Sequence, residues 1–291
     1  MCGICGCEAT TAVDHDRGHD RAHEHVDTDG RRFTHVHDHG HDDAHDHARD
    51  RRHLAPVLPP RDRATVSLEA KVLAKNDSIA SDTRVWLQSH NIVALNLVSS
   101  PGSGKTTLLV RTVTDLLASR PIYVVEGDQE TSRDAELIRE TGAPAVQLNT
   151  GTGCHLDAAM VARALLRLEP PPGSVLMIEN VGNLVCPALF DLGEEAKVLV
   201  VSVTEGEDKP RKYPHMFRAA QLLLLNKLDL LPHVRFDVER FLAEARRVNP
   251  ALEVIALSAW RGDGLSAWYE WLRERRAGSI EGRGRALEVN S

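Results

Sequence analysis

The sequence lacks long hydrophobic runs, an excess of positive charge and a rich supply of cysteine, and each deficit excludes a class of protein. No segment approaches the roughly 20 consecutive apolar residues of a membrane-spanning helix, and no apolar secretory leader stands at the amino terminus. The formal net charge of −7 argues against nucleic acid as the main partner. We therefore expect a cytoplasmic protein that binds neither membrane nor nucleic acid. Because 42% of the 291 residues are hydrophobic, the chain can still bury a sizeable core.

The five cysteines are too few and too unevenly placed for a disulfide framework. Three of them, Cys2, Cys5 and Cys7, fall within the first seven residues. An odd count suits disulfides poorly, and thiols stay reduced in the cytoplasm. We therefore interpret this amino-terminal tip as a metal site.

Histidine is concentrated near the amino terminus, where eleven of the fifteen His residues lie within residues 1–53. The stretch 31–53 has almost no apolar residue, so burial cannot offset its chain entropy and we expect it to be disordered. Neutral imidazole suits nickel, copper, zinc and cobalt, which favours metal binding over a merely solvated tail. Residues 54–63 resemble a proline-rich linker. We expect 1–63 to be a Cys/His-rich metal-binding tail and linker.

Residues 64–280 carry the pattern of one ordered α/β domain, whereas no role is assigned to the tail 281–291. Seven apolar segments suit strands buried on both faces: 92–98, 121–126, 143–149, 174–179, 197–203, 221–226 and 253–258. Helical segments alternate with them at 105–119, 131–141, 155–168, 235–248 and 263–276. Residues 65–90 precede them as two helices separated by a turn at 76–78. This alternation predicts a three-layer fold, a mostly parallel sheet between helices, with ligands at the carboxyl ends of the strands.

The first strand is followed by SSPGSGKTT (99–107), which resembles a phosphate-binding loop with Ser99 in place of the usual first glycine. Glycines let backbone N–H groups curl round a phosphate, and the next helix points its amino terminus at the same anion. Lys105 is expected to reach the terminal phosphates, and the Thr106 hydroxyl is expected to bind Mg²⁺. The predicted nucleotide contacts here are Gly102, Ser103, Gly104, Lys105, Thr106 and Thr107.

The sixth strand is followed by NKLD (226–229), which predicts guanine as the base. Asp229 can accept hydrogen bonds from N1–H and the exocyclic amine of guanine, whereas adenine has neither donor there. Asn226 can bond the opposite edge of the base, and the stem of Lys227 can lie along the ring. Ser258 and Ala259 follow the last strand, where a backbone N–H could contact the guanine oxygen. GTP is therefore favoured over ATP.

Two acidic groups follow other strands and are candidates for catalysis together with Lys105. Glu179 begins ENVG (179–182), which matches a nucleotide-sensing switch with Glu in place of Asp. Its carboxylate can hold Mg²⁺ through water, while the N–H of Gly182 can sense the γ-phosphate. Asp128 could orient the attacking water or hold the metal, and the sequence leaves both roles open. Either carboxylate could instead be a strand-end cap or ion-pair partner.

The remaining cysteines form a second candidate metal site. Cys154 and His155 are adjacent, and Cys186 lies four residues beyond the switch glycine. Taken singly, each thiol could be a small buried hydrophobe. Together, two thiols and an imidazole form a soft set for Ni²⁺ or Zn²⁺. Because Cys186 lies so close to the switch, hydrolysis could change metal affinity by moving one ligand.

At this point the motifs resemble those of the HypB family, the GTPases of [NiFe]-hydrogenase nickel incorporation. The resemblance covers about 65–280 plus the tip, and it rests on seven segments in family order: NDSIASDTR (76–84), SSPGSGKTTLL (99–109), EGDQETSRDAE (126–136), GTGCHLD (151–157), IENVGNLVCP (178–187), VTEGEDKPRKYP (203–214) and NKLDLL (226–231). It implies a SIMIBI-class P-loop GTPase that dimerises on GTP binding. Since we expect a switch rather than a metabolic enzyme, we also expect slow hydrolysis of GTP. The resemblance also implies nickel binding at the tip, nickel or zinc binding at the inner site, and storage in the His tract.

The resemblance further implies two partners, a HypA-type metallochaperone and the [NiFe]-hydrogenase large-subunit precursor. The polar segment 205–214 is expected to be an exposed loop, either a dimer or partner contact or simply solvated. Three other interpretations stay open. They are a urease nickel-insertion GTPase, a nickel buffer whose GTPase domain is incidental, and an ATP-dependent kinase on the same fold.

Overall fold

The structure is a computed structural model that describes residues 23–26, 32–35, 63–128, 133–151 and 153–275. Within helix 63–89 the side chains are described from residue 70 onward. Cys2, Cys5 and Cys7, most of the His-rich stretch, the linker up to residue 62 and the tail 281–291 lie outside the described residues. The predictions made for them therefore remain predictions.

The chain separates into two compact units, of which the smaller spans residues 8–61. Its described part is an antiparallel hairpin of β1 (His23–Val26) and β2 (Arg32–His35). The register pairs His23 with His35 and Val26 with Arg32. The sequence analysis predicted no strands in this tail.

The larger unit is built on a sheet of seven parallel strands, in agreement with the predicted fold class. The strands are β3 (Val93–Ser99), β4 (Ile122–Asp128), β5 (Ala145–Asn149), β6 (Val175–Glu179), β7 (Ala196–Ser202), β8 (Leu222–Asn226) and β9 (Glu253–Ala256). Their spatial order is β5-β4-β6-β3-β7-β8-β9. Every residue of β3, β6, β7 and β8 is buried, which explains why these segments are continuously apolar rather than alternating.

Helices cover both faces of the sheet and complete the three layers. They are α1 (Arg63–Ser89), α2 (Lys105–Leu116), α3 (Arg133–Glu140), α4 (Ala158–Leu168), α5 (Lys209–Lys212), α6 (Pro214–Ala219), α7 (Val238–Val248) and α8 (Leu265–Glu274), with 3-10 helices at Cys186–Ala188 and Leu228–His233. Apolar residues of α2, α3 and α8 form the core on one face, and those of α1, α4, α6 and α7 form it on the other. In the part of the chain that the structure describes, no helix is both long enough and apolar enough to span a bilayer.

The predicted turn at 76–78 is wrong, because α1 runs without interruption through those residues. Asn76 does not cap a second helix. Its buried amide donates to the carbonyl of Asp191 (2.8 Å) and accepts from the N–H of Ala158 (2.9 Å). The polar residue that suggested a helix end therefore fastens the middle of α1 to the start of α4.

Asn76→Ala should lower the free energy of unfolding by about 1–3 kcal/mol, because the Ala158 N–H would lose its side-chain acceptor in a buried position. Urea unfolding followed by circular dichroism measures the change. The matched control is Lys75→Ala on the exposed side of the same helix, which should change stability by less than about 0.5 kcal/mol. Equal effects of the two substitutions would contradict the assigned role of Asn76.

Candidate functional site

A cleft of about 600 Å³ opens at the carboxyl ends of β3, β4 and β6, where the sequence predicts the ligand site. Its walls are the loop 99–107, the switch segment 179–182, Glu126, Gly127, Asp134 and Lys227. The cleft thus brings together most of the residues predicted to bind phosphate and magnesium.

The loop between β3 and α2 has the backbone shape that a phosphate needs. Gly102 and Gly104 have φ values of 74° and 89°, in the left-handed region that favours glycine. Gly104 is the N-cap of α2 and supplies no side-chain cap, so the amino terminus of that helix is available to an anion. The buried hydroxyl of Ser103 has no hydrogen-bond partner among the described residues. A phosphate oxygen at this loop would suit both features.

One buried carboxylate, that of Glu179, connects the switch segment to the phosphate loop. Its Oε1 atom is 2.7 Å from Lys105 Nζ and 2.7 Å from Thr106 Oγ1. Its Oε2 atom is buried and has no hydrogen-bond partner in the described part of the chain. Thr106 Oγ1 also lies 3.0 Å from Asp134 Oδ2, although a single hydroxyl proton can serve only one carboxylate at a time. Three oxygen-bearing side chains therefore converge where a hard cation such as Mg²⁺ fits their chemistry.

Asp134 was missed by the sequence analysis. It lies in the first turn of α3, six positions after Asp128, and its acidic character at a helix start can be explained by capping alone. Asp128, the residue that the sequence analysis proposed instead, ends β4 beside the cleft, and its side chain lies outside the described residues.

Gly182 of the switch segment packs close to the phosphate loop, since a Cβ there would meet Pro101 at 3.2 Å.

The segment after β8 is joined to the phosphate loop by hydrogen bonds. Asn226 Nδ2 donates to the Ser103 carbonyl (3.0 Å), and Lys227 Nζ donates to the Gly102 carbonyl (2.6 Å). These bonds bring the candidate base-binding residues next to the candidate phosphate site.

The loop after β9 supports the same segment. Ser258 Oγ donates to Asp229 Oδ1 (2.5 Å), and this bond orients the carboxylate. The N–H of Ala259 donates to Asn226 Oδ1 (3.0 Å) rather than pointing to open space. The structure therefore places Ser258 and Ala259 as supports for the side chains that would contact a base.

The three predicted inner metal ligands form one cluster. The ligand atoms of Cys154, His155 and Cys186 all lie within 4.8 Å of one another. The two sulfur atoms are 2.7 Å apart, and Cys154 Sγ is 3.6 Å from His155 Nδ1. Two thiols and an imidazole at such distances have the chemistry of a soft-metal site.

The surroundings of His155 favour its neutral form. Burial lowers the pKa of the imidazole below its ordinary value, and the nearby charge of Asp157 opposes that shift. The ring also packs against Phe190, with ring centroids 3.8 Å apart. A metal binds neutral imidazole, so this environment keeps the side chain in its ligating state at neutral pH.

The segment predicted as an exposed loop, 205–214, is partly helical and packs against the cleft. Pro210 in α5 is buried, and Lys209 Nζ donates to the hydroxyl of Ser100 in the phosphate loop. Lys209 also pairs with Glu205 at 2.7 Å. The solvated loop therefore describes this segment only in part, because Pro210 is buried and Lys209 bonds the phosphate loop. The expected dimer or partner contact stays a prediction.

The sequence is similar to known nucleotide-binding proteins, in agreement with the cleft described above. Residues 93–256 match the family described as CobW/HypB/UreG, nucleotide-binding domain. The chain is 57% identical over 214 residues to the hydrogenase maturation factor HypB of Escherichia coli K12, covering 74% of each protein. The chain belongs to the HypB family. The HypB of Cupriavidus necator is 46% identical across 94% of this chain and 88% of its own length.

A solved structure shows the same fold. The crystal structure of HypB from Helicobacter pylori in complex with nickel matches 73% of this chain and all of its own, with 34% identity and a TM-score of 0.66. The resemblance inferred from the sequence motifs is confirmed by these matches.

Gly104→Ala should destabilise the protein more than Gly102→Ala. Both glycines have positive φ, where a Cβ costs roughly 1–2 kcal/mol. At Gly104 the added carbon would also meet Asn226 Nδ2 at 2.6 Å, whereas at Gly102 nothing lies within 4 Å. We expect the difference in unfolding free energy to be at least about 1 kcal/mol, measured by urea unfolding. Equal losses would show that the 226–227 segment does not crowd the phosphate loop.

Proposed function

We propose that this protein is a GTP-hydrolysing nickel metallochaperone that inserts nickel into the [NiFe]-hydrogenase large-subunit precursor. The observation that carries the proposal is that one short segment, 179–186, bears both Glu179 of the nucleotide cleft and Cys186 of the metal cluster. A chain that reads a nucleotide and holds a soft metal through the same segment is suited to release metal when the nucleotide changes.

In the proposed hydrolysis, the chain's own residues hold and orient the nucleotide. Lys105 binds the terminal phosphates, and the loop N–H groups surround them. Thr106 and Glu179 would hold Mg²⁺, and the ion would neutralise charge on the phosphates. Asp134 would support that ion. For Asp128 both roles given above, orienting the attacking water and holding the metal, remain proposals. We propose slow turnover, as in a nucleotide switch rather than a metabolic enzyme.

Guanine is the proposed base because of the carboxylate of Asp229. Guanine would present two hydrogen-bond donors to the Asp229 carboxylate, whereas adenine would present none. The hydrogen bond from Ser258 orients this carboxylate, which supports its proposed role in base selection. Asn226 and Lys227 complete the base contacts. This choice separates the protein from the ATP-dependent kinase considered above.

Nickel is the proposed cargo of the inner site, with zinc as the alternative ion for the same donors. Two links support coupling of this site to the switch. Asn183 Nδ2 contacts the Cys154 carbonyl at 3.4 Å, and Asn180 Oδ1 accepts from the N–H of Leu156 at 3.2 Å. We further propose that the amino-terminal tail gathers nickel, that GTP favours a homodimer, and that a HypA-type metallochaperone receives the metal.

A urease-directed role is the second candidate, and one comparison favours it. A relative in Helicobacter pylori, 36% identical over 222 residues, is named a hydrogenase/urease maturation factor HypB. The two roles share nucleotide and metal chemistry, so they differ in the recipient of the nickel.

Asp229→Asn should exchange guanine for xanthine as the preferred base. The amide cannot accept from both guanine donors, but its NH₂ can donate to the oxygen that replaces the exocyclic amine in xanthine. We expect GDP binding to weaken by about 100-fold or more while xanthosine diphosphate becomes the tighter ligand. Calorimetry with both nucleotides measures this. Asp208→Asn, in an exposed pair with Lys212, is the control and should leave both affinities unchanged.

Deleting the gene in the native organism and assaying both nickel enzymes tests the delivery role. We expect loss of hydrogenase activity at low nickel and its restoration by excess nickel or by the intact gene. Lys105→Ala and Cys154→Ser should fail to restore activity at low nickel, because they remove the phosphate contact and a metal ligand. Lys75→Ala, on the exposed face of α1, should restore it fully.

Other outcomes of the same experiment decide between the alternatives. Loss of urease alone would assign the protein to the urease-directed role. Rescue by Lys105→Ala equal to the intact gene would favour a nickel buffer in which the GTPase is incidental. Survival of both activities at low nickel would contradict delivery.

A further inference from the structure

Four polar side chains form a continuous buried path between the metal cluster and the nucleotide switch. We call this path the polar relay, and its members are Lys197, Glu194, Asn96 and Asn180. All four are buried, and none of them belongs to the Cys154–His155–Cys186 cluster. Each step of the relay is a hydrogen bond or ion pair, as the following distances show.

At the metal end, the ammonium group of Lys197 organises the loop that carries Cys186. Its Nζ atom donates to the carbonyls of Pro187 (3.1 Å) and Phe190 (3.0 Å). Pro187 directly follows the cysteine, and Phe190 packs against the ring of His155. The position of this one ammonium therefore affects two of the three candidate ligands.

In the middle of the relay, Glu194 neutralises the buried charge of Lys197 and also bonds Asn96. Its Oε1 atom lies 2.8 Å from Lys197 Nζ and accepts from Asn96 Nδ2 at 3.1 Å. Its Oε2 atom accepts from the N–H of Leu192. Burial raises the pKa of this carboxyl, but the lysine and the hydrogen bonds outweigh burial and hold the pKa below its ordinary value.

At the switch end, the side-chain amide of Asn180 bonds both the switch segment and the loop that carries Cys154 and His155. Asn180 Nδ2 donates to Asn96 Oδ1 at 3.2 Å. Asn180 Oδ1 accepts from the N–H groups of Val181 (3.0 Å) and Leu156 (3.2 Å). Asn180 is the neighbour of Glu179, and Leu156 is the neighbour of His155. If the switch backbone shifts, the hydrogen bond between Asn180 and Leu156 must therefore either break or move the loop that carries Cys154 and His155.

A purely structural role explains this arrangement poorly. Buried ion pairs contribute little to stability compared with apolar residues of similar volume, because both charges lose their hydration. Their partners are nevertheless costly to displace, since an unpaired polar group in the core is strongly disfavoured. Such a path resists gradual deformation and favours a small number of complete hydrogen-bond arrangements.

We propose that the polar relay couples the nucleotide state to the affinity of the Cys154–His155–Cys186 site, its members acting as positioning residues for metal release. The inference rests on the proposed function, because it requires that both ligands bind. Asn96 is the decisive member. It lies at the centre of the sheet, and its amide is the link between the ion pair and the switch.

The test uses the full-length chain with Cys2→Ser, Cys5→Ser and Cys7→Ser, so that Cys154 and Cys186 are the remaining thiols. Thiolate-to-nickel absorption then reports Ni²⁺ at the inner site. Ni²⁺ is titrated against a competing chelator in the presence of GDP and of a non-hydrolysable GTP analogue. The measured quantity is the ratio of the two nickel dissociation constants. Nucleotide affinities and melting temperatures are recorded for every variant.

Asn96→Leu removes the central link while keeping a similar side-chain volume. We expect the parent chain to show a ratio of at least about fivefold, in the range usual for coupled sites, and Asn96→Leu to bring it within about twofold of one. Nickel affinity with GDP and nucleotide affinity should each stay within about threefold of the parent. Asn96→Ser, which leaves room for water, is the second variant if the leucine does not fold, and it should also reduce the ratio.

Leu95→Ala is the matched control. It lies next to Asn96 on β3 but belongs to the core on the opposite face of the sheet, so it destabilises the same strand without touching the relay. Its ratio should equal that of the parent chain.

Three results would overturn the inference in distinguishable ways. An Asn96 variant that keeps the parent ratio would show that coupling runs elsewhere, while leaving the proposed function intact. A Leu95→Ala variant that loses the ratio as fully as Asn96→Leu would reduce the effect to general destabilisation. A parent chain with equal nickel affinity in both nucleotide states, or with no nickel absorption, would overturn the inference and the coupled function together.

Discussion

The buried carboxylate of Glu179 holds the lysine and the threonine of the phosphate loop at the same time, and the arrangement of the cleft depends on that contact. It is possible because β3 and β6 are parallel neighbours, so that their carboxyl ends deliver the loop and the switch to the same place. A carboxylate in this position costs free energy to bury unless cations and hydroxyls compensate it. Glu179 therefore joins the start of α2, at the end of the phosphate loop, to the switch segment.

A short stretch of chain after β6 connects the nucleotide cleft to the metal cluster. The chain leaves β6 at the switch, and within seven residues it reaches Cys186 in the 3-10 helix. Asn180 and Asn183 bond the same stretch to the loop that carries Cys154 and His155. A metal cluster assembled from separate loops in this manner is sensitive to the path of the backbone between them.

Much of the fold was predictable because its signals are local. Buried parallel strands are continuous apolar runs, and all seven were placed within a few residues of their observed bounds. The errors arise where a polar residue has a distant partner. Asn76 looks like a helix cap until Asp191 and Ala158 are seen beside it, 115 and 82 positions away along the chain. The β1–β2 hairpin was not predicted because its strands contain few apolar residues.

The site was predictable in its motifs but not in its supporting contacts. Spacing alone indicated the phosphate loop, the aspartate proposed to bind guanine and the Cys/His trio. It could not indicate Asp134, because an acidic residue in the first turn of a helix has an ordinary explanation. Nor could it indicate that Ala259 supports Asn226, or that Lys209 bonds the phosphate loop, since both contacts join segments that only folding brings together.

The order of the strands has an evolutionary consequence. β3 lies at the centre, with β4, β5 and β6 on one side and β7, β8 and β9 on the other. Cys154 and His155 follow β5 and Cys186 follows β6, whereas the residues proposed to contact the base follow β8. The two proposed specificities therefore lie on opposite sides of the phosphate loop. Substitutions at the Cys154–His155–Cys186 cluster can therefore alter the proposed metal preference without contacting the residues proposed to select the base.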